Sequence, residues 1–428
     1  MFYMKNNSFD VIVVGGGTAG VVAAIQAGRA GAKTLLVEKC GMLGGTLTVG
    51  GVNFPGVFYA WGKQVIKGIG YELCVKALEE EGKCPPVPSA FAALSKQHAL
   101  VVNPALYAMI CDKEAAAAGV EILFHSMLAE VKRSGKIWKI KLCTKEGLQD
   151  YSAKVILDCT GDANVVKLSG FKTRKQKVLQ PATTIFFLSG YEFKKLNKTA
   201  LVAEYKKAIK KRLFTDAEFG WGGKKLGDRL LRLLEGRGLN SIHVNEYKAD
   251  KSKGKTALEL KGRALILKIY RWLKKQQGLE KLEISFLAPE CGVRETVVIE
   301  GKAYITIKDY ESGRLWPDAL CYSFYPVDVH TYKGTGLIFR HLKEGVLPTI
   351  PRGAMLPKGS RFLIAAGRHI SGDREAHSAY RVQASCMAMG QAAGAMAALS
   401  AKNNIDPEQL PLSAIHTLLE KHGAIIPR

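Results

Sequence analysis

Four apolar residues, Val11 to Val14, run directly into three glycines. A short β-branched run of this kind forms a strand buried on both faces. Gly15, Gly17 and Gly20 then complete G-x-G-x-x-G, and Ala23, Ala24 and Ala27 follow at helical spacing. A second apolar run, Thr34 to Val37, ends at Glu38, 18 residues beyond Gly20. Together these make a βαβ unit with a carboxylate closing its second strand. Gly15 allows the tight turn, Gly17 lets the backbone approach a pyrophosphate, and Gly20 lets helix and strand pack closely. The helix N-terminus adds unpaired N–H groups and a partial positive charge. The unit predicts an α/β chain with a dinucleotide at this turn and Glu38 accepting hydrogen bonds from ribose hydroxyls.

The rest of the composition suits an enzyme of that kind. A length of 428 residues is compatible with about two or three domains, and 47% hydrophobic residues is ample for a large core. The nine cysteines are scattered without a C-x-x-C, and an odd number in a long chain argues against a disulfide framework and for a reducing compartment. The opening "MFYMKNNSFD" has no basic segment followed by an apolar one, so a cytoplasmic location is expected. Ala384 to Ala401 is rich in Ala and Gly and interrupted by Gln391, which reads as a packed helix and not a membrane span.

Whether the dinucleotide is nicotinamide or flavin is decided outside the first unit. "GMLGGTLTVGG" supplies Gly44, Gly45, Gly50 and Gly51, a second flexible stretch placed to run alongside a cofactor, for which nicotinamide dehydrogenases have no general use. "NPALYAMICDKEAAAAGVEILFHS" reads as a helix then a strand. Three further strands have turns at Ser134-Gly135 and Glu146-Gly147, and the last, Lys154 to Cys159, runs into Thr160-Gly161-Asp162. Near the C-terminus a buried strand, Arg361 to Ala366, leads through another glycine-rich turn into a long helix of small residues.

The blocks "VIVVGGGTAG", "VEKCGMLGG", "VILDCTGDAN", "GVRETVVIEGKAYIT" and "LIAAGRHISGDREAHSAYRVQASCMAMGQAAG" resemble those of FAD-dependent oxidoreductases of glutathione-reductase-type fold, a group that includes the flavin-binding part of heterodisulfide reductase. They cover most of the chain apart from roughly residues 194–280. The resemblance implies a doubly wound Rossmann-like FAD-binding domain with an inserted α+β substrate domain, divided as 1–189, 190–345 and 346–428. It implies that Gly15, Gly17, Gly20 and Glu38 hold the ADP half of FAD, and that Gly44, Gly45 and Thr46 face the pyrophosphate and flavin. Thr160, Gly161 and Asp162 are expected to line the same cleft, and Gly372-Asp373 to reach the ribityl chain. The C-terminal helix is expected to aim its N-terminus at the flavin N1/C2 edge, where negative charge collects on reduction.

The sequence also departs from its relatives. Flavin disulfide reductases place a cysteine pair just after their "GG" segment, whereas this chain has "GGTLTVGGVNF". There is no second G-x-G-x-x-G after a strand, so no separate NAD(P)H domain is indicated, and the cysteine spacing offers no iron–sulfur cluster or other metal site. Cys40 reads as a small filler in the cofactor turn.

Residues 192–281 carry 24 Lys and Arg against 10 Asp and Glu, a net +14 of the chain's +24. Helices are expected at Ala200 to Phe214, Lys225 to Glu235 and Ala257 to Lys275, with a loop at "NEYKADKSKGK". Lysines along an amphipathic helix usually form a solvated face; the functional alternatives are an acidic substrate, an electron carrier with an acidic surface, or weak contact with a polyanion. Tyr205, Phe214, Phe219, Trp221, Tyr270 and Trp272 fall mostly where a helix core would use them, though interleaved aromatics also stack bases.

Substrate-facing candidates cluster in the family-like blocks: Arg294 and Glu295; Asp328, His330 and Tyr332; and His377, Tyr380 and Arg381. Each has a structural alternative, an Arg294–Glu295 ion pair or an inert histidine among them. His330, Arg294 and His377 are the catalytic candidates, with Asp328 positioned two residues before His330 to orient its ring. The chain is thus expected to transfer a hydride between a small organic substrate and FAD, with an unknown electron partner. Two rivals are a flavoprotein acting on nucleic acid, as in tRNA modification, and a flavin-binding protein without activity.

Overall fold

A computed structural model describes residues 7–85, 100–244, 248–331 and 336–428. The glycine-rich unit forms β1 (Ser8–Val14), α1 (Thr18–Arg29) and β2 (Thr34–Val37). Two helices follow, α2 (Ile69–Glu80) and α3 (Pro104–Ala117); Asn103 caps α3 through the Ala105 N–H, with Pro104 in the first helical position. Then come β3 (Glu121–Leu123), β4 (Met127–Ser134), β5 (Ile137–Thr144) and β6 (Gly147–Asp158), with the turns at the two expected glycines.

β1 lies centrally between β2 and β6, parallel to both, which is why Val11, Ile12 and Val13 are wholly buried. β3 extends the sheet beyond β2. β6 is long enough to serve two partners along one edge: its first half pairs antiparallel with β5, and Ile156–Asp158 pair parallel with Leu363–Ala365. A parallel sheet carrying an antiparallel meander is the architecture expected.

The inserted segment has a core of its own. β7 (Phe186–Ser189) pairs antiparallel with β8 (Glu283–Leu287), and between them lie α4 (Lys198–Lys210), α5 (Asp228–Glu235) and α6 (Ser252–Leu273). Tyr205, Phe214, Phe219 and Trp272 meet edge to face, with Tyr205 and Phe219 centroids 4.9 Å apart. These rings are core material, not a platform for bases. α4 stops at Lys210, short of the expected Phe214, because Arg212 turns left-handed (φ +56°) and folds Phe214 into that core. α6 begins five residues before the expected Ala257: Gly254 permits the first turn, where a Cβ would lie 2.0 Å from the Lys248 carbonyl. Residues 245–247 of the expected loop lie outside the described residues. The separate core runs from Phe186 to Leu282, while Val297, Tyr310, Leu320 and Leu342 pack into the main core.

The last part of the inserted segment supplies β9 (Val327–His330), and the return segment supplies β10 (Leu363–Ala365), α7 (Arg374–Tyr380) and α8 (Gln383–Asn403). α8 crosses α1 at van der Waals distance of its backbone: a Cβ on Gly390 would fall 2.2 Å from the Ala19 carbonyl, and one on Gly394 2.3 Å from that of Ala23. Gly394→Val is therefore expected to destabilise the protein by overpacking, about 1–3 kcal/mol or more. Thermal unfolding against Gly31→Ala, whose position is open, checks this; equal melting points would refute the packing argument. Among the described residues no helix is long and apolar enough to cross a membrane.

Candidate dinucleotide and substrate site

At the C-terminal end of the parallel strands the first turn is held as its glycines require. The Gly15 N–H donates to the Val37 carbonyl at 2.8 Å, and Gly15 itself sits at φ +99°. Gly20 has no room for a side chain, since a Cβ would lie 1.7 Å from the Gly15 carbonyl. Gly17 differs: it is the N-cap of α1, no side chain caps the helix, and a Cβ there would meet only Gly45 Cα, at 3.9 Å. The first turn of α1 carries no acidic residue. The result is an open cradle lined by backbone donors at a helix N-terminus, which fits a pyrophosphate.

Glu38 closes the cradle. Its Oε2 accepts the Gly16 N–H at 2.7 Å and its Oε1 the Cys40 N–H at 2.8 Å, which fixes a buried carboxylate at the end of β2. Gly44 donates to the Gly16 carbonyl at 2.8 Å, and Gly45 stands against Gly17, so the second glycine stretch does run alongside the first. Thr46 is half-buried in the next turn, its carbonyl accepting from Val52. Burial pushes the Cys40 thiol up to about 12, and its Sγ lies 3.3 Å from Glu290.

The T-G-D turn is built on Asp158, which accepts from the Thr160 hydroxyl at 2.7 Å and the Val166 N–H at 3.0 Å. Asp162 is met by Arg368 at 2.8 Å and by the Thr296 hydroxyl at 2.9 Å. A Cβ on Gly161 would strike the Arg368 guanidinium. Arg368 and Gly367, which faces Ala19, are thus the return-segment residues beside the cradle. Gly372 pairs with Ile305, and each oxygen of Asp373 accepts one backbone donor, from Ala376 N–H at 2.9 Å and Ile307 N–H at 2.6 Å. At the N-terminus of α8 the Ala384 N–H donates to the Pro55 carbonyl, while the Gln383 side chain holds the Val52 carbonyl.

From this turn a series of polar contacts leads to the substrate candidates. The Arg368 carbonyl meets His377 Nε2 at 2.7 Å, and His377 Nδ1 faces Glu295 at 3.6 Å. Glu295 accepts from the Gln180 backbone and side chain, and Gln180 Oε1 accepts the His330 N–H at 3.0 Å. Glu295 does not form the ion pair with Arg294 that adjacency suggests; its cationic neighbour is Arg374 at 3.5 Å. Burial drives His377 down to about 3, so it stands neutral inside this network.

His330 sits on β9 with Asp328 on the same face, and its Nε2 lies 3.4 Å from Asp328 Oδ1. Its Nδ1 is buried without a partner. Burial, reinforced by the Arg294 charge and opposed by Asp328, lowers His330 to about 4. Burial alone would raise Asp328, but His330 and Arg381 hold it below its ordinary value. Arg294 donates to the Pro181 carbonyl at 2.6 Å, Thr183 Oγ1 at 2.7 Å and Asn240 Oδ1 at 3.2 Å. The inserted segment brings Trp221 and His243 against His330, with ring centroids at 5.6 and 5.0 Å. Tyr380 is buried, its hydroxyl on the Ile370 carbonyl, and Tyr332 lies outside the described residues. Gln180, Asn240 and His243 carry no signal in the sequence; Arg368 is legible there only as the residue after a strand-ending glycine.

A Rossmann-like sheet, an uncapped helix over an open glycine cradle and a buried carboxylate at the second strand define a dinucleotide-binding α/β protein. The chain belongs to the FAD dependent oxidoreductase family, which matches residues 10–419, and FAD is its cofactor. Over 55 residues it is 53% identical to dihydrolipoyl dehydrogenase of Trypanosoma brucei brucei, covering 13% of this chain and 12% of that protein. Over 171 residues it is 30% identical to thiamine thiazole synthase of Methanococcus vannielii, covering 39% of this chain and 61% of that one. The chain thus matches less than two thirds of the length of either. A solved structure of a geranylgeranyl bacteriochlorophyll reductase-like protein from Thermoplasma acidophilum aligns over 97% of this chain and 83% of its own, with a TM-score of 0.44 and 13% identity.

Proposed function

We propose that this oxidoreductase oxidises or reduces a small organic substrate at the enclosure around His330. FAD, when bound, supplies the acceptor or donor of a hydride. Gly15, Gly17 and Gly20 would hold the pyrophosphate and Glu38 the ribose, with Gly44, Gly45 and Thr46 along the flavin side. Thr160, Gly161 and Asp162 would close over them; the turn ending at Gly372 and Asp373 would bound the ribityl side, with Asp373 occupied by its helix cap. In the oxidative direction a C–H hydride leaves the substrate, His330 Nδ1 takes the proton from the neighbouring hydroxyl or amine, and the carbon becomes a carbonyl or imine. Asp328 orients the ring, Arg294 anchors an acidic or carbonyl-bearing substrate, and His377 holds the Arg368 backbone in place.

The observation that carries this reading is the unpartnered Nδ1 of His330, buried beside Asp328 and facing Trp221 and His243 of the inserted segment 190–345. Anaerobic bleaching of the bound flavin against a metabolite library tests it: a substrate that reduces the flavin in wild type supports it, and a flavin that no metabolite reduces would favour a protein without catalytic activity.

We also infer a cytoplasmic location and a separate redox partner. Contact of the basic segment with polyanions is expected to be weak and nonspecific, lost by about 0.2 M salt, with a log–log slope of about −0.9 per neutralised phosphate on duplex DNA and about −0.7 on single strands. Sequence-selective RNA binding that survives such salt in a filter-binding assay would move the reading to nucleic-acid modification.

A further inference from the structure

We propose that the enclosure around His330 is built for a carboxylate, and that His243 of the inserted segment selects for it together with Arg294 and Arg381. This rests on the enclosure being the substrate site, and it goes beyond that reading by naming the substrate class, a small carboxylic acid, and a specificity residue. Arg294 is buried, yet all its acceptors are neutral oxygens, and none of the described carboxylates forms an ion pair with it. A buried guanidinium without a counter-charge is strongly destabilising. Asp328 acts on Arg294 only from a distance and also pairs with Arg381 at 3.7 Å, so this one carboxylate faces two guanidinium groups and leaves a positive charge unanswered. Glu295 is likewise committed to Gln180 and Arg374.

The enclosure is also short of acceptors. Arg381 Nε is buried with no partner, and so is Nε2 of His243, a residue 7% exposed and stacked edge-on against His330. Water would meet such donors but would leave the positive charge; a carboxylate answers both, offering two oxygens and one negative charge. His243 is held far below its ordinary value by burial and by Arg294, so its ring is neutral and its Nε2 donates to a carboxylate in the tautomer that carries the proton there. An anion beside Arg294 would also cancel part of the charge that depresses His330, restoring basicity to that imidazole as the acid arrives.

Calorimetric titration of the FAD-loaded protein with acetate, glycolate, succinate and benzoate, each against its amide or alcohol counterpart, tests the assignment. Saturable binding of at least one acid over its neutral counterpart is expected. That affinity should fall about ten- to a hundredfold in Arg294→Lys, which keeps charge but loses the fork, and in Arg381→Met and His243→Phe. Flavin absorbance and melting temperature report that each variant is folded and loaded. Acids that bind no better than their amides, or variants that bind them as wild type does, would overturn the proposal. The readout is independent of turnover: a flavin that no substrate reduces, beside intact Arg294-dependent acid binding, would count against the catalytic reading alone.

Discussion

Gly17→Val gives a folded, colourless protein, whereas wild type purifies yellow with non-covalent FAD. The expectation follows from what surrounds each glycine. A Cβ on Gly20 collides with the Gly15 carbonyl at 1.7 Å, so substitution there disturbs the turn itself. A Cβ on Gly17 approaches only Gly45 Cα, at 3.9 Å, and the backbone there is ordinary (φ −71°). The apo protein therefore accepts a Cβ at this position without a clash, and the loss falls on the pyrophosphate that needs close approach to the helix N-terminus. FAD affinity is expected to drop by about a hundredfold or more, equivalent to two or more charge-assisted hydrogen bonds. Flavin fluorescence on titration and the circular dichroism of the apo form separate the two effects. Glu38→Ala should cost about 1.5–3 kcal/mol of FAD binding, but it is the less clean variant, since Glu38 also fixes the Gly16 and Cys40 backbone. Native protein carrying FMN, NAD or no nucleotide would contradict the assignment.

His330→Ala is expected to keep FAD bound and slow substrate-driven flavin reduction by about 10²–10⁴-fold, the usual share of a general base. The pH dependence discriminates further. His330 titrates at about 4 in the fold, below the ordinary imidazole range, so its lone pair is available above that value and is lost as pH falls through it. The rate in wild type should be flat from about pH 6 to 8 and decline on acidification only as that lowered value is approached, rather than near the unperturbed value of about 6.5. Stopped-flow reduction at limiting substrate, where the second-order rate reports the free enzyme, measures both. A wild-type rate in His330→Ala would dismiss the residue.

The first βαβ unit was legible because its constraints are local: strand, turn, helix and carboxylate lie within residues 8–38, and each residue type answers a steric or hydrogen-bonding need of its neighbours. The meander was legible for the same reason. The substrate enclosure was only partly so. Asp328 and His330 share a strand face, which alternation reveals, but Gln180, Asn240 and His243 reach them through folding of distant segments and carry no mark in sequence. Arg294 and Glu295 suggest a pair because they are adjacent, but each has other partners, Arg294 the Pro181, Thr183 and Asn240 oxygens and Glu295 the Gln180 and Arg374 donors. The resemblance places Asp373 at the ribityl chain, and the structure adds what sequence does not show, a backbone donor on each of its oxygens.

The backbone-close crossing of α1 and α8 has a consequence for how this protein is made. The first strand and helix leave the ribosome early, but Ala19 and Ala23 find their packing partners only when Gly390 and Gly394 have been synthesised. β6 likewise waits for Leu363–Ala365 before its second edge is covered. Until then the nascent chain holds an exposed apolar sheet edge and a helix with a bare face, which are aggregation hazards in a topology rich in distant contacts. A chain that stops before Leu363 would thus carry every residue of the glycine fingerprint and still have no platform on which to keep its flavin.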